Sequence, residues 1–381
     1  MKIAIITHPL KNNYGGLLQN FALQTVLKRM GHEVLTIDRI KRTPLFVKLL
    51  SITKRVIKWF LGQNVKLRAW PTEKEESIIS INTRGFVNRN ISTTRRVYSN
   101  KELKNIVNNY QFDAYVVGSD QVWRRDASGN SSEFLDFISN DNKVIKIAYA
   151  ASFGIDNWTY TDKETNKYSK LIRKFDAISV REYSGVELCK KKFQVDADFM
   201  LDPTMLLDKD DYIELVNLAK IEKSEGNLFV YLLDKNSNKQ KIVSEISHEL
   251  SLKPFEVMPE QNFMMDLPKG EKFNTNKCIF PNVETWIRGF MDAEFVVTDS
   301  FHGTVFAILF NKPFIAIQNS RRGLTRFDSL LSLFNLQDRL VKEQDTFNVQ
   351  VITKKVDFNR TEEIRDQHKR NAFNFLNNAL K

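Results

Sequence analysis

The chain has 381 residues, of which 42% are hydrophobic and 27% charged, and its formal net charge is +11. This length exceeds what one hydrophobic core usually serves, so it predicts a two-domain globular protein that is soluble or peripheral. Two cysteines, Cys189 and Cys278, exclude a disulfide framework and a cysteine metal cluster and suit a reducing cytoplasm, and the scattered basic residues argue against nucleic acid as a partner.

Strand and helix patterns alternate through the first half of the chain. A β-branched strand is predicted at 2–7, then the loop "NNYGG", then helical spacing over 17–30. "HEVLTID" predicts the next strand, and this βαβ unit indicates a parallel sheet. Further strand patterns at 114–120, 146–152 and 177–182 extend that sheet.

The pattern of a first strand starts again at 227–233, which predicts a second α/β domain. A helix is predicted over 238–250, short strands in "PFEVMP", "CIFP" and "AEFVVTD", and a polar helix over 362–380. We place an N-terminal Rossmann-like domain at 1–208, a C-terminal Rossmann-like domain at 209–345, and a tail with a helix at 346–381. The predicted fold class is α/β with two Rossmann-like lobes, and its ligand should lie in the cleft between them.

Residues 41–63 interrupt the first domain with a mixture of large apolar and basic side chains. The basic residues are Lys48, Lys54, Arg55 and Lys58. A basic amphipathic helix can lie on an anionic membrane surface. It can equally pack on its own domain, with the lysine ammonium groups reaching water. No stretch approaches the roughly 18 apolar residues that a membrane span needs.

Two polar stretches follow predicted strands and could bind ligands. "NNYGGLLQNFAL" places Gly15 and Gly16 between a strand and a helix, where backbone N–H groups attract phosphate or carboxylate. The alternative is a tight turn. In "VVGSDQVWRRD", a hydroxyl, a carboxylate, an amide and an aromatic ring suit a sugar: Ser119, Asp120, Gln121 and Trp123. The alternative is a helix start capped by Ser119 or Asp120.

Arg181 and His302 also follow predicted strands. Arg181 comes directly after "AISV", where its guanidinium could bind a carboxylate or phosphate, or pair with a neighbouring acid. His302 lies in "VVTDSFHGTVF", between a strand and a helix. An imidazole there can transfer protons near neutral pH, or it can cap the turn as a neutral histidine.

The order and spacing of several motifs resemble the polysaccharide pyruvyl transferase family across most of residues 3–340. The motifs are "NYGGLLQNFALQTVLKRMGHEVLTID", "VVGSDQVW", "ISVRE", "DPTMLL" and "VVTDSFHGTVFAILFNKPFIAI", ending near "RFDSLLSLFNLQDR". The resemblance implies a fold similar to two-lobed GT-B glycosyltransferases. It implies phosphoenolpyruvate as co-substrate, with no cofactor or metal, and a sugar of a polysaccharide or lipid-linked glycan as acceptor. The product would be a pyruvate ketal.

By this resemblance, His302 is the candidate acid and Arg181 the arginine that grips the donor. Asp120, from its place in "VVGSDQVWRRD", is a second catalytic candidate. Many family members have Arg-Leu-His where this chain has Ser300-Phe301-His302. We therefore expect the missing cation to come from Arg321, Arg322 or Arg326. The remaining donor-binding candidates are Ser300, Gly15 and Gly16, and the acceptor-binding candidates are Asn13, Tyr14, Gln19, Ser119, Gln121 and Trp123.

Two other functions fit the same motifs. One is a glycosyltransferase that uses a nucleotide-sugar, with Asp120 or His302 as base. The other is a glycan-binding protein without catalysis, which the absent arginine favours. For a pyruvyltransferase we expect a cytoplasmic protein, with 41–63 touching the inner face of the membrane.

Overall fold

The computed structural model describes residues 1–40, 45–61, 70–125, 131–139, 143–263, 273–318, 325–343 and 349–381. These residues form two lobes, each built on a parallel sheet with flanking helices. The predicted α/β class with two Rossmann-like lobes and a C-terminal helix is therefore confirmed.

The sheet of the first lobe is buried on both faces. Ile3 and Ile5 contribute to one apolar layer, while Ala4 and Ile6 contribute to the other, as expected for a parallel sheet covered by helices. Within the described residues the strand order is β2-β1-β3-β4-β5-β6. The strands are β1 (Lys2–Ile6), β2 (Glu33–Thr36), β3 (Ala114–Val117), β4 (Ile145–Ala151), β5 (Ala177–Val180) and β6 (Asp198–Phe199). The helices are α1 (Tyr14–Arg29), α2 (Leu45–Phe60), α3 (Glu73–Ile79), α4 (Ile81–Asn90), α5 (Asn100–Tyr110), α6 (Asp162–Ile172) and α7 (Tyr183–Leu188).

The sheet of the second lobe has the order β11-β10-β9-β7-β8 in the part of the chain that the structure describes. Its strands are β7 (Leu228–Tyr231), β8 (Pro254–Glu256), β9 (Phe295–Thr298), β10 (Phe314–Ile317) and β11 (Leu340–Val341). The remaining helices are α8 (Lys209–Leu218), α9 (Ser237–Leu250), α10 (Val283–Asp292), α11 (Phe301–Leu309), α12 (Thr325–Leu333), α13 (Val349–Thr353) and α14 (Phe358–Ala379).

Helix α14 returns to the first lobe. The ring of Phe375 lies 6.2 Å from that of Tyr149, and His368 lies 6.0 Å from Phe199. Arg365 forms an ion pair of 2.9 Å with Asp208. Helix α14, which follows the second lobe in sequence, thus packs on the first.

Two local predictions, and one of the alternatives, were wrong. Helix α1 begins at Tyr14, so Gly15 and Gly16 lie in its first turn rather than in a loop. "CIFP" is not a strand, because Thr275–Cys278 form a 3-10 helix. No helix in the described structure is capped by Ser119 or Asp120; Asp120 instead has a left-handed φ of 72° and forms an isolated bridge with Ala151.

Each sheet reverses its strand order at one point, and these points set the position of the site. In the first lobe the reversal lies between β1 and β3, and in the second between β7 and β9. Ligands of open α/β sheets bind beyond the carboxyl ends of strands at such reversals. His8 and Asp120 follow the first pair, and Tyr231 and Ser300 lie at the ends of the second. All four residues line one cleft of about 810 Å³ between the lobes.

Helix α2 covers most of the predicted amphipathic insertion 41–63, and the rest of that segment lies outside the described residues, as does the side chain of Lys48. Its apolar side chains are largely exposed; Phe46 and Leu49 are each 64% exposed. Among the described helices, none combines the length and the apolar character that crossing a membrane would require.

Candidate active site between the two lobes

Two helices begin at the cleft, one from each lobe. Helix α1 starts after Asn13 and helix α11 after Ser300, and neither has an acidic residue in its first turn. The N-terminus of a helix carries partial positive charge and backbone N–H groups that favour anions. The meeting of two such ends makes the cleft suitable for a negatively charged ligand.

His302 lies between the start of α1 and the first-lobe carboxylate of Asp202. Its Nε2 atom is 3.5 Å from the Asp202 Oδ2 atom. On its other side the ring packs so closely on Gly15 that a Cβ atom there would lie 2.1 Å from Nδ1. The imidazole is 6% exposed and lines the cleft. Its orientation is therefore set by contacts from the opposite lobe.

Asp202 owes its place to the short sequence "DPT". Pro203 suits the first position of the 3-10 helix Pro203–Met205, which Asp202 caps. The Asp202 Oδ1 atom accepts hydrogen bonds from the backbone N–H (3.1 Å) and hydroxyl (2.7 Å) of Thr204. The Oδ2 atom accepts hydrogen bonds from the Ser119 hydroxyl at 2.9 Å and from Arg181 at 2.6 Å. These bonds fix the Asp202 carboxylate beside His302, whose Nε2 atom has no hydrogen-bond partner among the described residues.

Arg181 forms the centre of a buried charge network. Its guanidinium donates to Asp202 and, at 3.0 Å, to the Asp120 Oδ1 atom, and its Nε atom lies 3.5 Å from the Glu182 carboxylate. Asn13 donates to the other Asp120 oxygen at 3.1 Å. Arg181 does not line the cleft. The geometry gives it a place behind the cleft, not the donor-gripping position that the resemblance implies, and the alternative of pairing with neighbouring acids is what the structure shows.

The network shifts the pKa values of its carboxyl groups. Burial alone would raise the pKa of Asp202, but His302 and Arg181 outweigh it and hold that pKa well below its usual range. The pKa of Asp120 is likewise lowered, because Arg181, His8, His302 and Arg326 outweigh burial. For Glu182 the effect of burial is the larger one, so its pKa is raised although Arg181 acts to lower it. Asp120 and Asp202 are therefore ionised at neutral pH.

Arg326 brings a buried cation to the wall of the cleft. It is 4% exposed, and its guanidinium lies over the Phe301 ring, 5.6 Å from the centroid. Burial and then the neighbouring charge of Arg181 lower its pKa to about 10. The charged form of Arg326 is thus destabilised by the nearby positive charge and by the loss of hydration. An anion in the cleft would stabilise it. Arg321 and Arg322, the other candidates for the missing cation, lie outside the described residues.

Several predicted site residues do meet in the cleft. They are Asn13, Asp120, Gln121, Ser300, His302 and Arg326. Ser300 caps α11 by accepting a hydrogen bond of 3.4 Å from the Gly303 N–H. The cleft is also lined by His8, Lys11 and Arg124, which were not predicted from the sequence. His8 follows the carboxyl end of β1, so the rule that selected His302 would have found it.

Other predicted acceptor-binding residues do not reach the cleft. Trp123 is wholly buried, with its ring stacked on Phe134 at 5.6 Å, so it has no face on which a sugar could lie. Ser119 and Gln19 are also buried; the Gln19 amide donates to Thr7 and to the Gly16 carbonyl. Tyr14 joins the lobes by donating to the Pro281 carbonyl at 3.0 Å and stacking on Trp286. Gly15 and Gly16 lie in the buried first turn of α1, with Gly16 packed on Asn13.

Comparison with known proteins gives the following matches. The model of the family described as polysaccharide pyruvyl transferase matches residues 13–321. No curated protein matches the chain. Similar solved structures include MurG of Acinetobacter baumannii, at 8% identity, a TM-score of 0.45 and coverage of 99% of both chains. Another is a UDP-GlcNAc 2-epimerase of Neisseria meningitidis bound to UDP-GlcNAc, at 10% identity and a TM-score of 0.47, covering 98% of this chain and 94% of that one. A third is S. aureus MnaA with UDP, at 11% identity and a TM-score of 0.48, covering 96% of this chain and 88% of that one.

Proposed function

Because the chain belongs to the polysaccharide pyruvyl transferase family, we propose that it transfers the enolpyruvyl group of phosphoenolpyruvate to a sugar. The acceptor is a sugar of a polysaccharide or of a lipid-linked glycan precursor, and the product is a pyruvate ketal. The observation that carries this proposal is the cleft itself, where two helix N-termini, His302 and the buried cation Arg326 meet.

Phosphoenolpyruvate carries a carboxylate and a phosphate, so it needs the positive potential that this cleft supplies. We assign the cationic contact to Arg326, with Arg124 beside it on the same wall. Ser300 and the first turn of α11 face the same space. Guanidinium groups bind such oxygens with two parallel hydrogen bonds. Arg326 thus supplies the charge that the family motif places at the position of Ser300.

The chemistry begins when an acid protonates the methylene carbon of phosphoenolpyruvate, which leaves an oxocarbenium-like centre at C2. We assign this proton to His302, which packs on Gly15 and has its Nε2 atom 3.5 Å from the Asp202 carboxylate. A sugar hydroxyl attacks C2 and passes its proton to the imidazole of His302, which restores the acid. The bond between C2 and the phosphate oxygen then breaks, and a second hydroxyl attacks C2 to close the ketal while its proton goes to the departing phosphate. Asp120 has a low pKa and is a weak base, so its carboxylate suits stabilisation of the positive centre.

Arg326→Gln is expected to weaken phosphoenolpyruvate binding by about 10- to 100-fold, because a hydrogen bond between charged groups is lost. The measurement is the rise in melting temperature with phosphoenolpyruvate, which stabilises only the state that binds it. Arg360→Gln, at an exposed position on α14, is the matched control. An equal rise in the Arg326→Gln variant would contradict the donor site. A rise with UDP-sugars but none with phosphoenolpyruvate would favour a nucleotide-sugar glycosyltransferase.

We further propose that α2 brings the protein to an anionic membrane surface, where a lipid-linked acceptor would lie. Apolar residues recur on one stripe of the helix at 46, 49, 50, 57 and 60, and Phe60 is 76% exposed. By helical spacing, Lys54 and Lys58 flank this stripe. An apolar stripe with flanking cations is the pattern of helices that lie in the membrane interface.

Neutralising α2 with Lys54→Gln, Arg55→Gln and Lys58→Gln is expected to weaken binding to phosphatidylglycerol vesicles by about 100-fold, since each basic residue near such a surface contributes about 1 kcal/mol. Co-sedimentation measures the bound fraction. The control carries Lys101→Gln, Lys104→Gln and Lys163→Gln, at exposed positions on α5 and α6. If both variants sediment like the wild type, α2 does not act as a membrane contact.

A further inference from the structure

A second groove of about 730 Å³ adjoins the cleft in the first lobe. The two spaces meet at Lys11, Trp70, Pro71 and Glu76, which line both of them. We propose that this groove, here called the outer groove, binds the sugar residues that neighbour the pyruvylated sugar in an oligosaccharide acceptor. This inference rests on the proposed function, because it names the second part of the acceptor site.

The walls of the outer groove have the surface that sugars require. Trp70 stands at its boundary with the cleft, and Tyr98 lies on the lining with 37% of its surface exposed. Aromatic faces pack against the apolar face of a sugar ring, and neighbouring polar groups bond its hydroxyls. Asn88 is such a polar residue, exposed on the last turns of α4. The ring of Trp123 is buried and cannot stack on a sugar, whereas Trp70 and Tyr98 are accessible and can.

Several charged residues that line the outer groove form ion pairs. Arg84 and Arg96 share the buried carboxylate of Asp38, at 2.9 Å and 3.0 Å, and Lys11 pairs with Glu76 at 2.9 Å. Ion pairs of this kind leave little net positive charge to attract a phosphate. Polar groups of the groove such as Asn88 can still form hydrogen bonds with sugar hydroxyls. The cleft, with Arg326 and two helix N-termini, holds the anionic donor, and the outer groove suits an uncharged glycan.

The outer groove also lies where an acceptor would enter. Ile40 and Trp70 both line it, and in sequence they flank the insertion that contains α2. The helix we propose to lie on the membrane therefore lies, in sequence, between two residues of this groove. A glycan carried on a lipid could pass from the membrane along this groove to the cleft.

The test is binding of the full chain to an array of immobilised mono-, di-, tri- and tetrasaccharides that share terminal sugars, without phosphoenolpyruvate. For at least one of the terminal sugars, we expect the tetrasaccharide to bind about tenfold or more tightly than the monosaccharide of the same sugar. Trp70→Ala and Tyr98→Ala should each reduce this advantage, and together abolish it. Tyr183→Ala, at an exposed tyrosine of α7, is the control and should retain it.

The proposal is overturned if monosaccharides bind as tightly as tetrasaccharides, if the wild type retains no glycan, or if the advantage of length survives in the double variant. The melting temperature with phosphoenolpyruvate is measured on the same proteins. An unchanged rise in the variants shows that they are folded and that their donor site is intact. Length-dependent glycan binding by a wild type that phosphoenolpyruvate fails to stabilise would refute the donor assignment and leave the outer groove standing.

Discussion

His302→Gln is expected to lower the rate of phosphate release from phosphoenolpyruvate by about 10²- to 10⁴-fold, the usual contribution of a general acid. Glutamine has a polar group that can still face Asp202, so the buried carboxylate keeps a partner, but it cannot deliver a proton near neutral pH. The measurement is phosphate released from phosphoenolpyruvate with a panel of mono- and oligosaccharides that carry two neighbouring free hydroxyls.

The rise in melting temperature with phosphoenolpyruvate should persist in His302→Gln, because the assigned cationic contact is Arg326. This separates a loss of chemistry from a loss of binding. A variant that keeps the wild-type rate would remove His302 from the mechanism, and one that loses both the rate and the donor-dependent stabilisation would make it a binding residue.

The elements that the sequence predicted well are those with a strong local pattern. The strand before Thr298-Asp299-Ser300 and the helix after it follow from a change of hydrophobic period, and that seam placed His302 at the cleft. Asp120 was found by the same reasoning at the end of β3. In contrast, "CIFP" offers only a few apolar residues, too few for periodicity to separate a strand from other structure.

The residues that were misplaced depend on contacts between distant parts of the chain. Arg181 is buried behind the lining of the cleft because Asp120 and Asp202, 61 and 21 residues away in sequence, pair with its guanidinium there. Trp123 is buried because Phe134 and Phe153 pack around it. No local pattern carries this information. Likewise, the sequence offered three arginines as replacements for the motif arginine and no means to choose among them, and the position of Arg326 at the wall of the cleft depends on the fold.

The close contact between Gly15 and His302 joins the two lobes at the site, and it makes Gly15 sensitive to a single added carbon. A Cβ atom at Gly15 would lie 2.1 Å from Nδ1, 2.2 Å from Cγ and 2.7 Å from Cβ of His302. Because the contacts include the root of the side chain, a small rotation of the ring cannot relieve them. Either the imidazole leaves its place beside Asp202 or the lobes move apart.

Gly15→Ala is therefore expected to lower phosphate release by about 10²-fold, since misplacing a catalytic group by about 1 Å has this effect. Alanine would by itself favour α1 by about 1 kcal/mol, so a loss of stability must come from the clash. The decisive measurement is a double-mutant cycle with His302→Ala, which removes the two shortest contacts. In that background Gly15→Ala should have little further effect on the rate, and its cost in unfolding free energy should shrink or change sign. Equal losses in both backgrounds would mean that Gly15 acts on the donor site or on the helix itself, and not through His302.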